Sequence, residues 1–221
     1  MGFSSNVDLD ELLSYFLSGS IFITLSAVGQ PDLVATLLGS VQPFEGTALP
    51  VVVHFVVFFG SALVLGHVFS ILVRNFSRNL MNWLLGDPRQ AVLPTTGRCT
   101  RRQASQEFFT EEFRQAFAGR YRTVFKTDIS AVPEKAVPRL VRSHVFHSSE
   151  SALQIRDRIV RARSFCANMA IALLAASFVN FSSFPIGIHL MLWAAAIMLT
   201  IKQRSLDLRE AKEIYTHFLV V

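Results

Sequence analysis

Apolar positions run without a charged residue from 46 to 73, GTALPVVVHFVVFFGSALVLGHVFSILV, and they surround the helix they would form instead of following one stripe. A bilayer core is crossed by about 20 apolar helical residues, so this run predicts a span, TM2, over about 49–73. Pro50 falls in its first turn, where a missing backbone N–H does no harm. Residues 164–201 are uncharged as well, but they carry a turn signal, NFSSFPIG, near 180–187. Taking out the turn leaves two short spans, TM3 over about 164–181 and TM4 over about 187–201. A single long tilted helix is the weaker alternative, because Pro185 lies mid-run.

Residues 12–31, LLSYFLSGSIFITLSAVGQP, form a third uncharged run with several hydroxyls and two glycines. It is read as TM1. The preceding VDLDELL starts a helix well, since its acids suit the macrodipole and Asp8 and Glu11 have a capping-box-like spacing. The short LVATLLGSVQPF that follows lies at the far interface or re-enters partway.

Between the spans the pattern becomes amphipathic. RNFSRNLMNWLL continues TM2 as a helix until Gly86 and Pro88 stop it, and DPRQAVLPTTGRCTRR reads as a turn-rich basic linker. From Ser105, SQEFFTEEFRQAFAGRYRTVFK places Phe109, Phe113, Phe117, Tyr121 and Phe125 at four-residue intervals, a helical stripe read as core or subunit contact. VPEKAVPRLVRSHVFHSS is broken by Pro133 and Pro138. It leads into SESALQIRDRIVRARSF, a helix capped by Ser148 or Ser149 that has no breaker before residue 180. Running straight into TM3, that helix would be a rod able to couple ligand binding to the membrane.

The expected fold is therefore an all-α membrane protein of four transmembrane helices in two hairpins, with a mainly helical cytoplasmic insertion. Its parts are an N-terminal membrane hairpin over 1–73, a basic domain over 74–163, a second hairpin over 164–201 and a tail helix over 202–221. Composition agrees: 51% of the residues are hydrophobic and only 17% charged, which excludes an ordinary soluble domain.

Charge then orients the spans. No Lys or Arg occurs before Arg74, whereas residues 74–163 carry seventeen against eight acids, a net of +9. Bases next to span ends stay on the cytoplasmic side. Arg74 and Arg78 follow TM2, while Arg161 and Arg163 precede TM3, so both ends of the basic segment are cytoplasmic. Even span numbers put both termini there too, in a multi-pass protein of a bacterial inner membrane. Arg74, Arg78, Arg161, Arg163, Lys202 and Arg204 are the expected interface anchors, attracted to anionic lipid and able to extend short spans by snorkelling. The N-terminus lacks a basic n-region, so no cleaved secretory signal is expected. Cys99 and Cys166 sit in unlike settings and suggest no disulfide framework.

Chemistry is sparse. Phosphate-loop, dinucleotide, zinc-protease and serine-hydrolase motifs are all missing, which points away from an enzyme, and no cofactor is expected. His144 and His147 lack further ligands for a metal site. In TM2, His54 and Ser61 share a helix face and His67 lies on another, so these three are the candidate pore-lining residues, with interhelical packing as the alternative. Farther from the spans, Arg98, Arg101, Arg102, Arg114, Arg120, Arg122, Arg139 and Arg142 form a candidate site for an anionic ligand such as nucleic acid.

Several short stretches carry a resemblance. SYFLSGSIF, LGHVFSILVR, AGRYR, IRDRIVRARSFCANM and LREAKEIYTHFL resemble, in order, segments of small four-span bacterial proteins. Some of these are transmembrane effectors beside nucleotidyltransferase-like enzymes in anti-phage defence, notably in the Hailong system. The resemblance implies a homo-oligomeric, tetrameric ion channel held closed by a DNA oligomer that the partner enzyme makes. Losing the ligand would open the channel, depolarise the membrane and arrest the cell. From the residues alone the rival function is a non-conducting anchor or scaffold that recruits a cytoplasmic partner through helix 105–126.

Overall fold

The computed structural model describes residues 9–32, 49–73, 92, 109–133 and 136–220. Outside these lie Asp8, the LVATLLGSVQPF segment, the continuation of TM2 past residue 73, the basic linker apart from Val92, and positions 105–108 of the expected aromatic helix. Among the described residues there are six α-helices and no strands: α1 Leu9–Gly29, α2 Leu49–Leu72, α3 Glu111–Phe125, α4 Val137–Ser148, α5 Glu150–Val179 and α6 Ile186–Val220. Four of them, α1, the Phe55–Leu72 part of α2, α5 and α6, are long and apolar enough to cross a membrane.

Contacts divide the chain into two units. The first comprises Met1–Arg78 and Arg161–Gln203, the second Asn79–Val160 and Arg204–Val221. Both α5 and α6 contribute residues to each unit.

In the first unit α1 and α2 pack backbone to backbone. A Cβ at Gly19 would overlap the carbonyl of Ala62, and one at Gly66 would overlap that of Tyr15. Helices in lipid gain nothing from hiding apolar surface from each other, so close van der Waals approach through small residues is what binds them. Phe16 fills the flank, with its ring 4.7 Å from that of Phe59. Helix α5 lies along α1 in the same direction. Asp10 meets Arg161, Ser14 meets Asn168, and Leu25 meets Asn180, three contacts that advance together along both helices.

The second unit has an aromatic core. Phe117 and Tyr121 of α3, Val141 and Val145 of α4, and Tyr215 and Phe218 of α6 are all buried. The Phe117 ring stands 5.2 Å from Phe218 and 5.6 Å from Tyr215. The four-residue aromatic spacing is thus a core face, because side chains at i and i+4 share one side of a helix.

Local chemistry sets the helix ends, some where expected and some not. Helix α3 starts at Glu111, not Ser105, since the Thr110 hydroxyl caps it by accepting from the N–H of Phe113 at 3.3 Å. It stops at Lys126, whose φ of 53° is left-handed. Pro138 does not break a helix but sits in the first turn of α4, where its fixed φ is compatible. Ser149 closes α4 with its backbone N–H and opens α5 by accepting from Ala152 N at 3.2 Å. From there α5 runs unbroken to Val179, and α6 continues through residue 202 into the tail without a break.

Candidate functional site: a buried polar line in the first unit and an arginine set in the second

Helix α5 presents Asn168, Ala172 and Ala176 at four-residue spacing, Asn180 follows directly past its end at the same spacing, and all four are buried. Small residues between two carboxamides let α1 approach. The Asn168 amide donates to the Ser14 hydroxyl at 3.3 Å, and Ser18 donates to the carbonyl of Ser14 at 2.9 Å. Asn180 donates to the Ala176 carbonyl at 2.8 Å and to the Leu25 carbonyl of α1 at 3.4 Å. Both acceptors are carbonyls, so the Asn180 nitrogen is fixed there and Oδ1 points the other way. It lies against Gly29, where any Cβ would collide with it. Gln30 adds a bond to the Val179 carbonyl at 2.6 Å.

A second polar cluster joins α5 to α6. Ser177 Oγ accepts from the Trp193 indole N–H at 2.9 Å and lies 2.8 Å from His189 Nδ1. The imidazole is walled by Phe181 and Phe184, with ring centroids at 5.4 and 6.1 Å. Polar groups this deep in apolar helices are costly unless bonded. Several here keep an atom without a hydrogen-bond partner: Asn168 Oδ1, Asn180 Oδ1, Ser26 Oγ and His189 Nε2.

These groups are not the ones singled out on TM2. Ser61 and His67 of α2 are exposed in the single chain, and His67 meets the edge of the Tyr15 ring at 5.4 Å. The side chain of His54 lies outside the described set. Among the anchors, Arg161 donates to Asp10 at 2.6 Å, Arg163 and Arg204 are half-buried and Lys202 is exposed. Arg74 and Arg78 are not among the described residues.

In the second unit the arginine set divides. Arg98, Arg101 and Arg102 lie outside the described residues. Arg114 pairs with Glu111 at 3.6 Å along its own helix. Arg122 pairs with Asp128, which also accepts from the Ser130 N–H and hydroxyl. The Ser130 N–H first, then Arg122, hold the Asp128 carboxyl down at about 2. Arg142 reaches the buried carboxylate of Glu210 at 3.5 Å and stacks 5.3 Å above Phe146. Arg139 stands exposed on α4, and Arg120 is half-buried. Inter-residue pairing therefore occupies Arg114, Arg122 and Arg142 before any ligand arrives.

The aromatic stripe of α3 is committed to the core, and burial pushes the Tyr121 phenol up. A partner recruited by α3 would meet its polar face. Among the described residues no three His, Cys, Asp or Glu side chains converge as a metal site would require.

Asn168 and Asn180, both missed from sequence, share one signal: they are amides separated by a multiple of four residues inside an uncharged run. Asn180 was legible only as part of a turn. Comparisons of the chain with protein-family models, with curated proteins and with solved structures find no match.

Proposed function

We propose that this chain is the protomer of a homo-oligomeric ion channel, a tetramer, in a bacterial inner membrane, acting as an anti-phage defence effector. Its four spans form two hairpins with both termini cytoplasmic, and an anionic nucleic-acid ligand, a single-stranded DNA oligomer, gates it at the basic segment. Opening depolarises the membrane and arrests growth.

The observation that carries this reading is the line of buried polar side chains inside helices whose outer faces are apolar. An ionisable side chain among apolar helices, here His189, is a functional candidate by default, while the amides and hydroxyls beside it also bond the helices to one another. The shared direction of α1 and α5 supports the topology, since two spans entering from one face put Asp10 and Arg161 on the same side of the first unit. Ser61 and His67, exposed in the single chain, suit a surface lining a pore between copies. The unbroken course of α5 from Glu150 to Val179 supports transmission of ligand binding along that helix.

Binding of a labelled oligodeoxynucleotide to the detergent-solubilised chain tests the ligand. Each phosphate contact contributes about 0.7 to the slope of log K against log salt for a single strand. Arg120→Ala with Arg139→Ala should lower both affinity and slope. Equal binding at about 50 and 200 mM salt would show that charge does not hold the ligand.

A further inference from the structure

From Ala167 to Ile201 the chain has one titratable side chain, His189. It is only 4% exposed, and its Nε2 has no hydrogen-bond partner. The other nitrogen belongs to a hydrogen-bonded cluster. An indole N–H can only donate, so Trp193 fixes one lone pair of Ser177 Oγ as an acceptor. Across 2.8 Å Ser177 Oγ either donates to His189 Nδ1 or accepts from it with its second lone pair, according to the ring's tautomer.

Protonation puts a hydrogen on both ring nitrogens, whichever tautomer it starts from. Nδ1 is then a donor, and Ser177 Oγ must accept from both His189 and Trp193. The Ser177 O–H bond stays intact and rotates away, toward the carbonyl one helical turn back, as serines in helices do. The ring is then a cation between Phe181 and Phe184 with its second N–H still unpaired. A buried cation without a partner is unfavourable, and water at the adjacent turn is the nearest remedy. Phe181, Ser182 and Ser183 of that turn are exposed, so the proton has a short way in.

We infer that His189, with Ser177 and Trp193, is a proton-binding site whose occupation loosens the α5–α6 turn. Among the described residues the charged and titratable groups at this end of the unit are few. Asp32 lies past the end of α1, two residues after Gln30, and His54 is on α2 with a side chain outside the described residues. None is on α5 or α6 between Ala167 and Ile201 apart from His189 itself. The inference does not rest on conduction or on a nucleic-acid ligand.

Tryptophan emission reads the site directly, because the chain has only two tryptophans, Trp83 and Trp193. In a Trp83→Phe chain in lipid nanodiscs, Trp193 emission should fall in one reversible sigmoidal step as pH is lowered from about 8 to about 5. His189→Gln should abolish the step, and Ser177→Ala should alter its amplitude. A flat titration, or a step that survives in His189→Gln, overturns the proposal. Should the glutamine variant not fold, the ring ¹⁵N shifts of His189 in the unsubstituted chain decide. Movement over the same range supports the site, and constancy rejects it.

Discussion

The two units are built inside out with respect to one another. In the first, Phe178 and Met191 stand 78% and 73% exposed while Asn168 and Asn180 are 1% and 0% exposed. In the second, Phe117, Tyr215 and Phe218 are buried and the guanidinium groups of Arg122 and Arg139 are outside. The same rule generates both: side chains go where their solvent is. Water drives apolar area inward at about 25 cal/mol per Å². Lipid would not, and the first unit shows instead close backbone approach between α1 and α2 and a few buried hydrogen bonds.

The largest effect expected from this contrast is in the second unit. Phe117→Ala removes a ring that meets Tyr121, Tyr215 and Phe218, and should cost about 3–5 kcal/mol. A melt followed by near-ultraviolet dichroism reads it. A loss under about 1 kcal/mol would mean that this core is not what holds the unit.

A smaller effect sharpens the other side. Asn180→Leu deletes the bond to the Leu25 carbonyl and should weaken the first unit by about 0.6–1.7 kcal/mol in bilayer-like detergent. Were that unit organised as an aqueous core, the same change would add apolar burial and stabilise. A gain in melting temperature for the leucine variant would therefore break the comparison.

The smallest effect is electrostatic. Asp128 titrates at about 2 in the fold, below an ordinary aspartate, because it accepts from the Ser130 N–H and faces Arg122. A depressed carboxylate stabilises fully above its unfolded value, about 3.9, and loses that contribution as pH falls toward its folded one. Asp128→Asn should slightly lower the second unit's stability at neutral pH and flatten its acid limb between about pH 4 and pH 2, so that variant and parent converge at the acid end. An unchanged acid limb would detach Asp128 from the stability of its turn.

How far the chain could be read in advance follows the same division. The apolar runs were legible because a span needs only length and the absence of charge, and α2 and α6 begin within a residue of the positions expected from them. The Phe109 to Phe125 stripe was legible as one helical face, although Thr110 moved the helix start. What the sequence left open was partner choice inside the spans. Asn168 and Asn180 face α1 because Gly29, Ala172 and Ala176 leave room, and such complementarity between segments some 150 residues apart has no local signature. Arginine pairing was hidden for the same reason. Glu210 lies far along the chain from Arg142, yet it occupies that side chain.

The central claim, that polar groups inside the first unit belong to a conducting assembly, is tested by recording from the purified chain in planar bilayers with and without a short oligodeoxynucleotide on the side of the basic segment. The account predicts discrete conductance steps that the oligonucleotide changes. Membranes as silent as lipid alone, under both conditions and with the protein shown to be inserted, would contradict it.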